Sequence, residues 1–219
     1  MLAVSIESIH SQSLERCKAL RSLVADHLGG TVTLLVATRD PAHKRLDRCP
    51  EMNQWLRDCA AQGDELGLFD TSGEQAWDDD VSRIDAERAI RLSRHQLEDV
   101  CGTNIDGLGV ARSSAATRLE SLLRDAGFGW LADRGSLDCL HSGRRLPLPS
   151  FGHTSAQRSS WIRIPKGHEP MACTWRLRLN GSASAASVDD AALALELQQA
   201  AARSGGSQVL HSMLASPQA

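Results

Sequence analysis

Side chains able to do acid–base or metal chemistry follow short apolar runs near the start of the chain. Carboxylates and imidazoles in such places can hold a divalent metal and activate a water molecule. Because the carboxyl ends of parallel strands meet at one edge of a sheet, groups that follow different strands could converge there. The candidates are Glu7, His10, Asp40 and Asp70.

The elements that must position these groups alternate between strand and helix patterns about six or seven times. Apolar runs of five to seven residues predict strands at 2–6, 31–37, 65–69, 107–111, 128–132 and 173–179, with a short last strand at 208–210. Helical spacing of apolar residues predicts helices at 11–28, 50–61, 82–100, 113–127 and 187–202. This alternation is typical of an α/β protein with a parallel sheet or barrel and helices outside.

Individual residues in the sequence predict where several of these helices begin or end. Gly29 is predicted to stop the first long helix, and Pro50 suits the first turn of the second. Ser82 with Asp85 predicts a cap at the next helix start. Residues 137–148 predict a small hairpin with a glycine turn, and residues 149–170, rich in Ser, Pro and Gly, predict a long loop.

Composition bounds the class of protein. The 219 residues are 42% apolar and 23% charged with a net charge of −3, typical of a globular domain and without a basic surface for nucleic acid. We expect one domain over residues 1–214 with a frayed tail at 215–219. The start of the chain lacks a secretory leader and no run could cross a membrane, so we expect a cytoplasmic protein. Six scattered cysteines favour reduced core thiols over a zinc site.

Several segments, in order along most of the chain, resemble the polysaccharide deacetylase superfamily (NodB homology), in particular its cytoplasmic, uncharacterised deacetylase-like branch. These segments are Ala3–Ile6, Leu14–Leu20, Val32–Val36, Arg45–Glu51, Trp55–Arg57, Gly63–Leu66, Leu122–Phe128 and Gly143–Leu146. The resemblance implies a distorted, partly open β/α barrel of about six or seven strands. It also implies metal-assisted attack of water on an N-acetyl group of a sugar.

In that family an Asp after the first strand acts as base and metal neighbour, a His-x-x-x-His segment after the third strand binds the metal, and a late His acts as acid. When these positions are carried over, the opening His-Asp pair of this branch falls on Glu7 and Ser8. The two metal-binding histidines fall on Phe69 and Gly73, and the late His falls on Asn180. Phe, Gly and Ser cannot replace imidazole and carboxylate around such a cation. The resemblance therefore predicts a deacetylase fold without catalytic residues, metal or other cofactor.

A deacetylase fold that lacks its catalytic residues is typical of a regulatory or scaffold subunit. Its partner would be an active deacetylase paralogue or a second copy of this chain. One alternative is an active N-deacetylase in which Glu7, His10, Asp40 and Asp70 rebuild a zinc-type site one residue out of register. A second is a module that binds a glycan or nucleotide-sugar. The residues predicted to bind a ligand are Arg39, Asp40, Arg48, Asp70, Arg112 and Trp161.

Two other enzyme classes are disfavoured by the sequence. A Ser/His/Asp hydrolase would need a nucleophile elbow of the G-x-S-x-G type, and the chain contains none. The glycines of residues 102–109 have neither Rossmann nor Walker spacing.

Overall fold

A computed structural model describes residues 2–38, 45–70, 82–110, 116–133, 136–147, 150–154, 173–178, 193–195, 197–198, 207–210 and 214. Its strands are β1 (Leu2–Ile9), β2 (Thr33–Val36), β3 (Glu65–Asp70), β4 (Gly107–Val110), β5 (Trp130–Ala132), β6 (Ser136–Cys139), β7 (Arg145–Pro147), β8 (Ser150–Thr154), β9 (Cys173–Arg178) and β10 (Ser207–Gln208). Its helices are α1 (Leu14–Leu28), α2 (Pro50–Ala61), α3 (Arg83–Cys101) and α4 (Ala116–Asp125), with a 3-10 turn at Leu46–Arg48.

All ten strands belong to one mixed sheet in the order β7-β6-β5-β4-β3-β2-β1-β9-β8, with β10 beside the start of β1. The strands from β1 to β5 are parallel along this path, and β6 and β7 form an antiparallel hairpin on β5. The predicted α/β, deacetylase-like β/α architecture is confirmed. In the part of the chain that the structure describes, the path ends at β7 and β8 and is not closed by a pairing between them.

Each central strand divides its side chains between two apolar clusters. Residues such as Ile6, Leu34 and Leu68 pack in the larger cluster with the helices. Their neighbours along the strands, including Leu35, form a smaller cluster on the opposite face of the sheet, and we call this side of the sheet the lumen. This alternation is the two-residue period of a strand buried on both sides. The members of the lumen cluster are Ala3, Leu35, Phe69, Trp130, Ala132, Leu137, Leu146 and Leu210.

The indole of Trp130 fills the lumen where the neighbouring strands have no side chains. A Cβ added to Gly107 would lie 1.8 Å from the Trp130 ring, and one added to Gly67 would lie 2.8 Å from Leu35. These two positions therefore require glycine for close approach and not for turn geometry.

A chain of hydrogen bonds closes the lumen at the amino-terminal ends of the strands. Trp130 Nε1 donates to Glu65 Oε1 (3.1 Å), and Thr33 Oγ1 donates to Glu65 Oε2 (2.7 Å). Thr33 Oγ1 also accepts the backbone N–H of Leu210 (2.9 Å), which joins the end of the chain to this network. The buried polar atoms here are thus matched with one another, as burial demands.

Several sequence predictions are confirmed and one is wrong. Gly29 ends α1 with φ 61°, Pro50 begins α2, and Ser82 Oγ accepts the N–H of Asp85 (3.1 Å) at the start of α3. The predicted loop over residues 149–170 contains β8, which pairs in parallel with β9. Its short polar sequence gives little strand signal, because the pairing with a distant strand supplies its stability.

Among the described residues, the cysteines and helices agree with two sequence predictions, reduced thiols and no membrane-spanning run. The five cysteines whose side chains are described are free thiols. Burial raises the pKa of Cys17, Cys59 and Cys101 to about 12, which makes these three thiols unreactive. Among the helices that the structure describes, none combines the length and the apolar character needed to cross a bilayer.

Candidate active site

A β-bulge interrupts β1 at the edge of the sheet where chemistry is expected. Ile6 pairs with Leu34 and Ile9 with Val36, so three steps along β1 match two along β2. Within this bulge Ser8 has φ 62°, in the left-handed region that non-glycine residues rarely adopt. Because of the extra residue, Ile6 and Ile9 both face the helices although they are three positions apart.

The bulge determines where Glu7 and Ser8 lie. Glu7 is 1% exposed, and its Oε1 accepts a long hydrogen bond from Ser5 Oγ (3.4 Å). By strand alternation it belongs to the lumen face with Ala3, near the carboxyl end of β1. Ser8 is partly buried at the bulge itself. The positions at which the resemblance predicts the opening His-Asp pair therefore hold one buried carboxylate and one hydroxyl.

His10 lies in the turn that leads into α1. Its Nδ1 accepts the N–H of Gln12 (3.3 Å), so the neutral ring carries its proton on Nε2. The hydroxyl of Ser13 bonds to both the N–H (2.9 Å) and the carbonyl (2.8 Å) of His10. These local bonds give His10 a defined role in the turn.

Phe69 stands where the first metal-binding histidine of the family is expected. Its ring is 5% exposed and belongs to the lumen cluster with Leu35 and Trp130. Strand β2 lies between β1 and β3, so Glu7 and Phe69 are two strand spacings apart, about 9–10 Å along the sheet. An apolar ring therefore occupies this lumen position, where the resemblance predicts a metal ligand.

The other predicted residues are distributed as follows. Asp70 ends β3 opposite Val110 in the backbone register, and Arg48 lies exposed in the 3-10 turn before α2. Six predicted positions fall outside the described residues: Arg39, Asp40, Gly73, Arg112, Trp161 and Asn180. Within the described ranges, no three His, Cys, Asp or Glu side chains are grouped so that they could hold a metal ion.

A second polar cluster, which the sequence analysis treated only as a hairpin, lies where β5 turns into β6. Asp133 Oδ1 accepts the N–H of Ser136 (2.6 Å), and Arg145 pairs with Asp133 (3.4 Å) and Asp138 (3.3 Å). Burial raises the pKa of Asp138, although the Arg145 charge opposes that rise. The signal in the sequence was the Asp-x-x-Ser-x-Asp spacing, with both carboxylates next to apolar strand residues.

Comparisons with known proteins place this geometry in a fold family. Neither protein-family models nor curated protein sequences give a match. Solved structures, in contrast, do match this chain. A pseudoenzyme of carbohydrate esterase family 4 from Bacillus anthracis is 12% identical, with TM-score 0.58 over 95% of this chain and 62% of that one.

Two further structures agree along nearly their whole length. A mutant of the peptidoglycan deacetylase PdaC from Bacillus subtilis is 13% identical, with TM-score 0.54 over 98% of this chain and 89% of that one. A family 4 carbohydrate esterase from Streptomyces lividans is 10% identical, with TM-score 0.52 over 94% and 90%. The protein therefore has the deacetylase-like fold of carbohydrate esterase family 4, which confirms the resemblance noted in the sequence.

Proposed function

We propose that this protein is a pseudoenzyme of the deacetylase fold that acts as a regulatory or scaffold subunit of an active paralogue in the cytoplasm. The observation that supports this most is Phe69, which is buried in the apolar lumen cluster at the position where the resemblance predicts a metal-binding histidine. A phenyl ring offers no lone pair to a cation. Its burial in the same apolar cluster as Leu35 and Trp130 also makes this position unfavourable for a hydrated cation.

The bulge at Ser8 supports the same proposal from the backbone. A residue held at φ 62° costs stability, and strain of this kind is concentrated at functional sites. The serine hydroxyl there is a weak ligand beside the carboxylate that the family uses. We infer that the backbone of the site is retained while its ligands have been replaced.

Known proteins of this fold include such a case. The B. anthracis structure is described as a pseudoenzyme, and a mutant of it as having restored enzymatic activity. We therefore expect that ligands can be rebuilt in this chain as well. Aspartate tolerates left-handed backbone better than most residues, so Ser8→Asp suits the bulge.

The test compares the natural protein with a variant combining Ser8→Asp, Phe69→His and Gly73→His. Both are purified without chelator, analysed for zinc and cobalt, and assayed for hydrolysis of N-acetylglucosamine oligomers with each metal added. We expect metal and turnover only in the triple variant. The control combines Ser22→Asp with Phe128→His, which makes two of the three kinds of change away from the lumen.

The second candidate is an active deacetylase with a displaced metal site. Its support is that Glu7 and His10 are both buried at the carboxyl end of β1, 1% and 4% exposed. Stoichiometric metal in the natural protein, with turnover abolished by Glu7→Gln or Asp70→Asn, would establish this candidate and refute the pseudoenzyme. A glycan-binding role would show as N-acetylglucosamine oligomer binding by calorimetry without hydrolysis.

The partner is tested separately. Tagged protein is mixed with an active deacetylase of the same fold from the same cells, and the mass of the complex is measured by light scattering. We expect a heteromeric complex that changes the rate of the active enzyme. A homodimer that leaves the rate unchanged would contradict the regulatory role.

A further inference from the structure

Helix α3 is joined to both of its neighbouring helices on the outside of the sheet. Arg57 Nε of α2 donates to the carbonyl of Val100 (2.7 Å), and Arg94 Nη1 of α3 donates to the carbonyl of Ala126, just after α4 (2.9 Å). Another face of α3 packs in the larger apolar cluster through residues such as Leu97. The remaining, outward face is exposed along the length of the helix.

This outward face of α3 carries large apolar side chains that the fold leaves in solvent. Of the three large apolar residues that are exposed in the described part of the chain, two belong to α3: Ile84 is 77% exposed and Leu92 is 62% exposed. They lie about two helical turns apart. Single apolar residues are common on protein surfaces, so their exposure alone does not identify a contact. The charged residues on the same face identify the kind of partner.

Four exposed residues of α3 form a stripe with the spacing of a coiled-coil seam. They are Arg88, Leu92, His95 and Asp99, which follow one another in steps of four, three and four residues. The His95 side chain is 70% exposed. Arg88 and Asp99, at the two ends of the stripe, form no hydrogen bond or ion pair with any other residue that the structure describes. The stripe therefore has one unpaired positive end and one unpaired negative end.

The order of these charges makes the stripe complementary to itself. When two copies of α3 lie antiparallel about a two-fold axis, Arg88 of each copy faces Asp99 of the other, and Leu92 faces His95. A two-fold contact has this property, because residue i contacts residue j and j contacts i. In a parallel arrangement Arg88 would face Arg88, and the like charges would repel each other. The charge pattern therefore favours a second copy of this chain in the antiparallel orientation.

We propose that the outward face of α3 is a self-association surface, on which two copies of this chain pair antiparallel through Arg88, Leu92, His95 and Asp99. Ile84 extends the apolar contact toward the end of the other helix. One helix face is smaller than the ~800 Å² per partner of a standard interface, so the dimer is weak and forms at high protein concentration. The surface lies outside the sheet and depends neither on the lumen nor on the proposed regulatory role.

Sedimentation velocity and light scattering of the full-length natural protein measure its mass as a function of concentration. We expect the mass to rise from that of one chain, 23.7 kDa, toward twice this value. Arg88→Glu and Asp99→Arg each turn two attractive pairs into two repulsive ones, so each should weaken dimerisation about tenfold. Lys18→Glu is the control, because it reverses an exposed charge on α1, where Lys18 pairs with Glu15 (2.8 Å). This control should dimerise like the natural protein.

A mixture of the two charge variants tests the antiparallel pairing itself. When Arg88→Glu pairs with Asp99→Arg, both contacts again join opposite charges, so the mixture should dimerise at concentrations at which each variant alone is monomeric. The variant that combines both changes should dimerise with itself for the same reason. A natural protein that stays monomeric would overturn the proposal and leave this face to a different partner. A dimer that both single variants retain, or a mixture that does not associate, would overturn the pairing of Arg88 with Asp99.

Discussion

The two ends of the lumen are built differently. At the amino-terminal end of the strands, Trp130, Glu65 and Thr33 form a closed hydrogen-bonded network over glycines that leave no space. At the carboxyl end, a bulge with a left-handed serine adjoins a buried carboxylate and a phenyl ring. In barrels of this type the first end serves stability and the second serves chemistry. Here the first end is a hydrogen-bonded network, and the positions at which the resemblance predicts catalytic residues lie at the second.

Further contacts strengthen the amino-terminal end. Asp64 binds Arg21 of α1 (2.5 Å) and the N–H of Val32 (3.0 Å), which joins a helix to two strands. Glu98 of α3 accepts the N–H of Ile105 just before β4 (3.1 Å). None of these residues belongs to the carboxyl end of the lumen, so the two ends can be varied separately.

The largest expected effect comes from replacing an aromatic residue with leucine at each end of the lumen. Trp130→Leu leaves a cavity and removes the donor to Glu65, so we expect a loss of at least about 3 kcal/mol in the free energy of unfolding. Phe69→Leu keeps an apolar group in the lumen and should cost about 1 kcal/mol. Urea denaturation followed by circular dichroism measures both. Equal losses would mean that the two ends contribute equally to stability.

Because Trp130→Leu could prevent folding altogether, Trp130→Phe provides a milder version. It keeps most of the ring and removes only the indole N–H. The expected loss is about 1–3 kcal/mol, the contribution of a hydrogen bond to a charged group.

Asp64→Asn tests the ionic part of the amino-terminal end. The Asp64 side chain is fully buried and that of Arg21 is 14% exposed, so the substitution leaves a largely buried cation without its counter-ion. We expect a loss of about 3 kcal/mol in the free energy of unfolding. Asp47→Asn is the control, because its pair with Arg45 is exposed and should contribute below about 1 kcal/mol. A similar loss in both variants would contradict the distinction between buried and exposed pairs.

The sequence predicted the amino-terminal end well in outline and the carboxyl end less well in detail. Apolar runs gave the strands of the sheet, because burial on both faces leaves a continuous signal in residues such as Leu34–Val36. The helix ends followed from Gly29, Pro50 and Ser82, whose preferences act locally. The resemblance supplied the deacetylase-like fold and the candidate site positions, including Ser8 and Phe69.

The structural features that the sequence did not predict depend on contacts between residues far apart in the chain. The bulge at Ser8 arises from the register with β2, and alternation alone predicts that Ile9 faces the lumen. The strand at residues 150–154 exists through its pairing with β9. The network of Thr33, Glu65 and Trp130 joins residues up to 97 positions apart (130 − 33), which no local pattern reveals.

The pH dependence of stability provides a smaller test of the amino-terminal end. Burial raises the pKa of Glu98, but the Ile105 N–H and the Arg94 and His95 side chains outweigh it, so the pKa is lowered overall. A lowered carboxyl pKa contributes stability that is present above the unfolded value, about 4.3, and is lost as pH falls through the folded value.

We therefore expect the urea midpoint of Glu98→Gln to change less between pH 6.5 and pH 3.5 than that of the natural protein. Glu87→Gln is the matched control on the same helix, where the pair with Arg91 is exposed. Identical pH profiles for the natural protein and Glu98→Gln would show that Glu98 does not link α3 to β4 in this way.

The smallest expected effect tests the strain at the carboxyl end. Ser8 is held at φ 62°, which glycine adopts freely, so Ser8→Gly should stabilise the fold by about 0.5 kcal/mol after the greater entropy of the unfolded glycine chain is subtracted. Ser22→Gly, in the interior of α1, should instead destabilise by about 0.5 kcal/mol. Ser8→Val should cost more than 1 kcal/mol, because a β-branched residue resists positive φ. If Ser8→Gly destabilises as much as Ser22→Gly, the serine side chain stabilises the bulge through its own contacts, and the bulge is then a structural feature of this chain and not strain left from a catalytic site.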